Sequence, residues 1–177
     1  MPQPVRSFVT AHGHWRRIRS RRAIIIQNFK EIRRDGKVID ENSTTAQLLS
    51  LGWAPEKVNR IEWEYHGQPV VVPVPHSMIS RVVPGRDAVM VIEKLDDTRL
   101  RNPLLVLNAD GSVRLTIPNE QLIKGRPVHG EFGWFEPARV SGLPSLGIVF
   151  QPDNDSSMYV LDVDASNGTT LGVYPTR

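Results

Sequence analysis

Residues 104–117 read LLVLNADGSVRLTI, and this stretch decides the fold class. Two segments of apolar or alternating residues flank a polar centre that contains the pair Asp110-Gly111. An Asp-Gly pair favours the positive backbone φ angles of a tight turn, and the flanking segments have the composition of strands. The stretch therefore predicts a β-hairpin, with strands over 104–107 and 113–117.

Further segments of strand type lie on both sides of this hairpin at short, even spacing. They cover residues 22–29, 61–65, 69–74 and 88–92 on the N-terminal side, and 130–135, 146–150, 158–163 and 171–174 on the C-terminal side. Such spacing is typical of antiparallel strands that follow one another in a meander. Because Pro69 and Pro73 cannot donate to a sheet ladder, we expect the strand 69–74 at a sheet edge.

One principal helix is predicted near residues 43–51. Ser43 can cap its first turn, Leu48 and Leu49 begin an apolar face, and Gly52 stands where a helix commonly ends. The fold class predicted from these patterns is α+β, consisting mostly of an antiparallel β meander with this one helix.

The 177 residues are enough for one domain or two small ones. Proline, serine and glycine are frequent over 75–86, which suggests a boundary there. We therefore expect a basic N-terminal α+β segment over 1–75, a linker or crossing loop over 76–86 and an antiparallel β domain over 87–177, although the halves could equally pack as one unit. Alternation within the clearest strands predicts a core containing Trp63, Leu104, Val106, Phe132, Phe150, Tyr159 and Leu161.

The formal net charge of +3 conceals an uneven distribution. Residues 5–37 contain ten Lys or Arg and only two acidic residues, whereas residues 127–177 contain two Arg and six acidic residues. A basic N-terminal part can bind a polyanion, and an acidic C-terminal part can bind a basic protein. The same charges could also simply face solvent or each other.

Several kinds of catalytic and cofactor site are excluded by the composition and motifs. The chain contains no cysteine, which rules out disulfides, a thiolate nucleophile and cysteine-ligated metals. It contains neither of the common phosphate-binding glycine patterns and no nucleophile elbow. His12 and His14 lack a third ligand at a suitable spacing, so we predict no metal, no cofactor and no catalytic residues. No apolar run is long enough for a membrane helix, and the absence of a secretory signal favours a cytoplasmic protein.

Two residue sets are candidates for binding a partner. The first combines acids near turns of the meander with neighbouring aromatic residues that could anchor a protein partner, namely Asp153, Asp155, Asp162, Asp164, Trp134, Phe135 and Tyr159. The second is an arginine cluster with a potential stacking residue, which could bind phosphates and bases of a nucleic acid, namely Trp15, Arg16, Arg17, Arg19, Arg21 and Arg22. Asp162 and Asp164 share one strand face, which we expect to be exposed to solvent.

The C-terminal part of the chain resembles a known family in four motifs. These are LLVLNADGSVRLTIP, GEFGWF, LGIVF and MYVLDVDASNGTTLGV, spread over residues 104–173. In this order they resemble small cytoplasmic bacterial immunity proteins encoded beside polymorphic toxins, including those of contact-dependent growth inhibition. The resemblance implies a non-catalytic module that binds and neutralises one cognate toxin. The acidic C-terminal half would suit a basic toxin of the nuclease type, since electrostatic complementarity speeds association. The alternatives are a nucleic-acid-associated protein that uses the arginine cluster, and a hydrolase or nuclease with an unrecognised site.

Overall fold

The computed structural model describes residues 25–52, 58–74, 76–94, 102–142 and 144–176. Within these ranges the chain forms thirteen strands and one short helix. The fold is therefore mainly β, and the α+β class predicted from the sequence is wrong in the weight that it gave to helix. The helix, α1 (Thr45–Ser50), has no buried residue, so it adds little to the cores that hold the fold together.

The strands form three antiparallel sheets. The first sheet has the order β2-β1-β3-β4 and contains β1 (Gln27–Arg33), β2 (Val38–Asp40), β3 (Val58–Tyr65) and β4 (Gln68–Pro73). The central sheet has the order β5-β6-β7-β8 and contains β5 (Ser77–Val82), β6 (Ala88–Lys94), β7 (Leu104–Asn108) and β8 (Val113–Ile117). The third sheet has the order β13-β12-β11-β10-β9 and contains β9 (Glu120–Ile123), β10 (Arg126–Glu136), β11 (Ser145–Pro152), β12 (Tyr159–Asp164) and β13 (Thr170–Pro175).

Local sequence chemistry explains the hairpins and one of the edges. Gly111 has a φ of 87° between β7 and β8, as the Asp-Gly pair predicts. Pro69 and Pro73 lie in β4, which is the last strand of the first sheet, so the predicted edge position is confirmed. Nearly every strand pairs with its neighbour in sequence, which confirms the meander for the central and third sheets.

The central sheet lies between the other two sheets and is covered on both faces. Alternate residues of β6 point to opposite sides: Val89 and Val91 pack against the first sheet, whereas Met90 and Ile92 pack against the third sheet. All seven residues predicted for the core are buried, divided between these two cores. Residues 77–82, within the stretch where a linker or crossing loop was expected, form the edge strand β5, and its Met78 is fully buried.

The helix α1 (Thr45–Ser50) is placed by contacts at both of its ends. Thr44, rather than Ser43, is the N-cap, and it forms a capping box with Gln47. At the other end, the buried guanidinium of Arg33 donates hydrogen bonds to the carbonyl oxygens of Leu51 and Gly52, at 2.6 and 2.9 Å. A cation at this end also complements the helix dipole. Arg33 therefore anchors α1 beside β1.

Candidate protein-binding surface

A cleft of about 800 Å³ runs along the free edge of β5. The first sheet and α1 form one wall, and β10 and β11 of the third sheet form the other. The apolar lining consists mainly of Phe29, Ile39, Leu48, Ile79, Val82, Val83, Phe135 and Leu146, and the charged lining consists of Glu31, Asp40, Glu41, Arg81 and Arg86. The cleft thus combines apolar walls with a small number of charged groups, which is the usual character of a binding site.

Glu31 is the buried acid of this cleft. It lies on β1 at the same parity as Phe29, and only 7% of its surface is exposed. Its carboxylate accepts a hydrogen bond from the Ser80 hydroxyl on β5. Burial raises the pKa of Glu31 above its ordinary value, although the bonds from Ser80 and the charge of Arg81 act in the opposite direction. Desolvation of the charged form is therefore the dominant effect.

We expect Glu31→Gln to raise the thermal stability of the protein at neutral pH. Because the native pKa is raised, the native state holds the Glu31 proton more tightly than the unfolded chain does. Stability from this group is therefore present below the unfolded pKa and is lost as pH rises through the native value. Melting curves of both proteins between pH 3.5 and 7.5 should show the advantage of the variant growing with pH. The exposed acid Glu64 provides the control, since Glu64→Gln should show no such trend.

The mouth of the cleft carries an exposed tryptophan. Trp134 is 44% exposed, and its indole N–H donates to the Glu136 carboxylate at 3.3 Å. On the opposite wall, Arg86 forms a two-point ion pair with Glu41, with N–O distances of 2.6 and 2.9 Å. The Arg86 Nε atom also donates to the Ile26 carbonyl oxygen, which ties the start of β1 to the turn after β5. One side of the mouth is thus fixed, and the other presents an aromatic ring to solvent.

The aromatic residues predicted to contact a partner are divided by a bulge in β10. The pairing of β10 with β11 shifts between Phe132 and Phe135, so that both of these rings enter the core and Trp134 points outward. Phe135 and Tyr159 are buried, which the prediction of a surface anchor did not anticipate. Of the three, Trp134 is the one that solvent reaches freely.

Asp162 and Asp164 are buried, so the prediction that they face solvent is wrong. The Asp162 carboxylate accepts the backbone N–H groups of Arg139 and Val140, each at 2.8 Å. These bonds hold the segment after β10 across the outer face of the third sheet. Asp164 accepts from the Ser166 hydroxyl and N–H, which lowers the pKa of Asp164 and fixes the turn after β12. Both acids thus bind segments that connect strands of the third sheet: Asp162 the segment after β10, and Asp164 the turn after β12.

Replacing Asp162 tests this structural role. Asp162→Ala leaves two backbone N–H groups without their acceptor, and we expect unfolding free energy to fall by about 2–3 kcal/mol. Asp162→Asn keeps one acceptor oxygen in place and should cost about 1 kcal/mol. Urea denaturation measures both values. If Asp162→Ala were as stable as the parent, the two hydrogen bonds would not hold the segment in place.

Asp153 and Asp155 remain exposed in the loop between β11 and β12. The Ser157 N–H donates to the Asp155 carboxylate at 2.9 Å, and this bond keeps the pKa of Asp155 below its ordinary value. Asp155 is therefore ionised well below neutral pH. These two acids, together with Trp134, are the members of the predicted set that a protein partner could touch.

Other predictions concern residues that the structure does not describe. The arginine cluster Trp15–Arg22 and the pair His12 and His14 lie outside the described residues. In the part that the structure describes, no three His, Asp or Glu side chains come together as metal ligands. None of the helical segments described is long and apolar enough to cross a membrane.

Glu31 and Ser80 were not among the residues singled out from the sequence. A signal for Glu31 was nevertheless present, because it is one of only two acids among the basic residues of 5–37. It also occupies the parity of Phe29, which is the apolar face of β1. Ser80 gave no comparable signal, since a serine in a strand is common on exposed and buried faces alike.

Comparison with known proteins gives one informative result. No family model matches the chain, and no curated protein matches it. The chain does match a chain in a solved structure described as "Structure of Tne2 in complex with Tni2", with a TM-score of 0.78 and 32% sequence identity. The match covers 86% of this chain and 100% of that chain. The protein therefore belongs to the family of the chain that it matches in the complex of Tne2 with Tni2.

Proposed function

We propose that this protein is a non-catalytic binding module of the immunity type, which binds a cognate protein toxin and neutralises it. The observation that carries the proposal is the 32% identity to a chain from a two-protein complex, over 86% of this chain and 100% of that chain. A pair of proteins in one complex is what an immunity protein and its toxin would form. The immunity-protein motifs of residues 104–173 support the same function independently, and such a protein would act in the bacterial cytoplasm.

The exposed acids suggest which toxins suit the protein. Asp153 and Asp155 belong to the acidic C-terminal part of the chain, and both are exposed in the loop after β11. Acidic groups at the rim of an interface accelerate association with a basic partner and contribute less to the lifetime of the complex. A nuclease toxin is basic because it binds a polyanion, so this charge favours a nuclease-type partner.

The test uses a toxin domain, which the proposed function expects to be encoded beside the gene for this protein. Co-expression with this protein should rescue cells from that toxin domain, and the two purified proteins should form a stable complex. In stopped-flow measurements at low salt, Asp153→Lys/Asp155→Lys should slow association about tenfold. Glu62→Lys/Glu64→Lys makes the same change in charge on another sheet and should slow it much less. Failure of the unmodified protein to bind or to protect would overturn the proposed function.

A second candidate function is nucleic-acid binding, and the arginine cluster of residues 15–22 is the observation that favours it. Trp15, Arg16, Arg17, Arg19, Arg21 and Arg22 would bind RNA or DNA with a steep dependence on salt. Charge reversal of these arginines separates the two functions in the same assay. If the arginine variant loses its partner and the Asp153→Lys/Asp155→Lys variant keeps it, the acidic loop is not the binding site and the nucleic-acid function is favoured.

A further inference from the structure

We propose that the cleft beside β5 receives an arginine side chain that projects from the partner protein, with Glu31 as the carboxylate that binds it. This inference rests on the proposed function, and it adds a specific site and a specific chemistry to it. Asp153 and Asp155, in the loop after β11, would then raise the association rate. The cleft would determine the lifetime of the complex and which partner is accepted.

The walls of the cleft suit the long apolar stem of such a side chain. Phe29, Ile39 and Leu48 line one wall, and Phe135 and Leu146 line the other. Arginine buries its methylene groups against surfaces of this kind while its charged end stays polar. Purely apolar walls would accept any hydrophobic side chain, so the charge in the cleft must supply the selectivity.

Among the residues that the structure describes, Glu31 is the buried acid of the cleft that has no ion-pair partner. Arg86 is occupied by its two-point pair with Glu41, and Asp40 accepts from the N–H of Asn42 and the hydroxyl of Ser43. Arg81 attracts Glu31 electrostatically, but among the residues described no ion pair within 4 Å joins Glu31 to a cation. A cation entering the cleft would therefore find a buried carboxyl group that has no counter-ion within 4 Å, and its positive charge would favour the ionised form of that group.

The exposed ring at the mouth favours arginine over lysine. Trp134 lines the same cleft, and an indole face is the strongest aromatic partner for a cation. A guanidinium stacks on such a face and presents a planar fork that matches a carboxylate, whereas an ammonium group does neither as well. Trp134 and Glu31 together thus define an aromatic mouth and an acidic floor.

The energetic position of Glu31 supports a role in binding. A buried carboxylate without an ion pair costs stability, and groups placed in this way are concentrated at functional sites. A glutamine would keep the hydrogen bond with Ser80 at a lower cost. A partner cation would offset the cost of burying the charge. Glutamate at position 31 would therefore be more favourable than glutamine only in the complex.

The experiment measures the affinity of the full chain for the toxin domain expected beside this gene, by isothermal titration calorimetry. We expect E31Q to weaken binding about thirtyfold, because truncating one member of a buried charge pair costs roughly 2 kcal/mol or more. We expect W134A to weaken it about tenfold. Leu48 and Leu49 give a matched pair on one helix, since Leu48 lines the cleft and Leu49 is 74% exposed away from it. L48A should weaken binding, and L49A should not.

The partner side completes the test. When each arginine of the toxin domain is changed to alanine in turn, one variant should lose affinity for the parent protein and little further affinity for E31Q. Retained binding by E31Q, or loss without coupling to any arginine, would overturn the cleft proposal and leave the proposed function intact. If the unmodified chain binds no toxin domain, both proposals fall. Because E31Q should be more stable than the parent, unfolding cannot imitate the expected loss.

Discussion

Phe150→Ala should lower the free energy of unfolding by about 3–5 kcal/mol, which is a large part of the stability of a domain of this size. Phe150 has no exposed surface, and its ring lies 5.6 Å from that of Phe132, also fully buried, in the core between the central and third sheets. Removing the ring deletes this contact and leaves a cavity that the strands cannot fill. Phe132→Ala should cost a similar amount for the same reason.

Denaturant titration measures both costs. Val113→Ala serves as the control, because Val113 lies in β8 but is mostly exposed. Its cost should stay within about 0.5 kcal/mol, as for most surface substitutions. An unchanged midpoint for both phenylalanine variants would mean that β10 and β11 do not pack as described.

Trp63→Ala should also cost about 3–5 kcal/mol, although Trp63 lies in the other core. Its ring stacks on Phe29 at 6.1 Å, and its indole N–H donates to the Ala109 carbonyl oxygen at 2.6 Å. This bond connects the first sheet to the turn between β7 and β8. The substitution removes a large apolar surface and leaves a buried carbonyl without its donor.

The two cores share the central sheet, so we expect one unfolding transition. Calorimetry of Trp63→Ala and of Phe150→Ala should show a single peak that moves to lower temperature in each variant. Two separate peaks, with only one displaced by each substitution, would show instead that residues 1–75 and 87–177 unfold as independent domains. This measurement therefore also tests the division predicted from the sequence.

Hairpins and edges could be predicted from the sequence because local chemistry determines them. The Asp110-Gly111 pair favours a tight turn whatever surrounds it, and the prolines of β4 restrict that strand to a sheet edge. The helix was located within two residues of its observed ends, because its cap and Gly52 are local signals as well. Its small contribution to the fold could not be predicted, since that depends on how far the sheets cover it.

Burial of the acidic and aromatic site residues depends on distant parts of the chain. Alternation along β12 correctly places Asp162 on the face opposite Leu161, but no local pattern shows that the segment after β10 covers that face. The bulge in β10 reverses the parity between Phe132 and Phe135, which strict alternation cannot anticipate. The cleft is equally invisible in sequence, because it is formed by the edge of one sheet between two others.

The position of β6 in the middle of the molecule has a consequence for hydrogen–deuterium exchange. This strand has a paired strand on each side and a core on each face, so no small fluctuation exposes its amide groups to water. Its amides should therefore exchange only when the whole chain unfolds, and their rates should report the global free energy. The amides of α1, which has no buried residue, should exchange many times faster through local fraying.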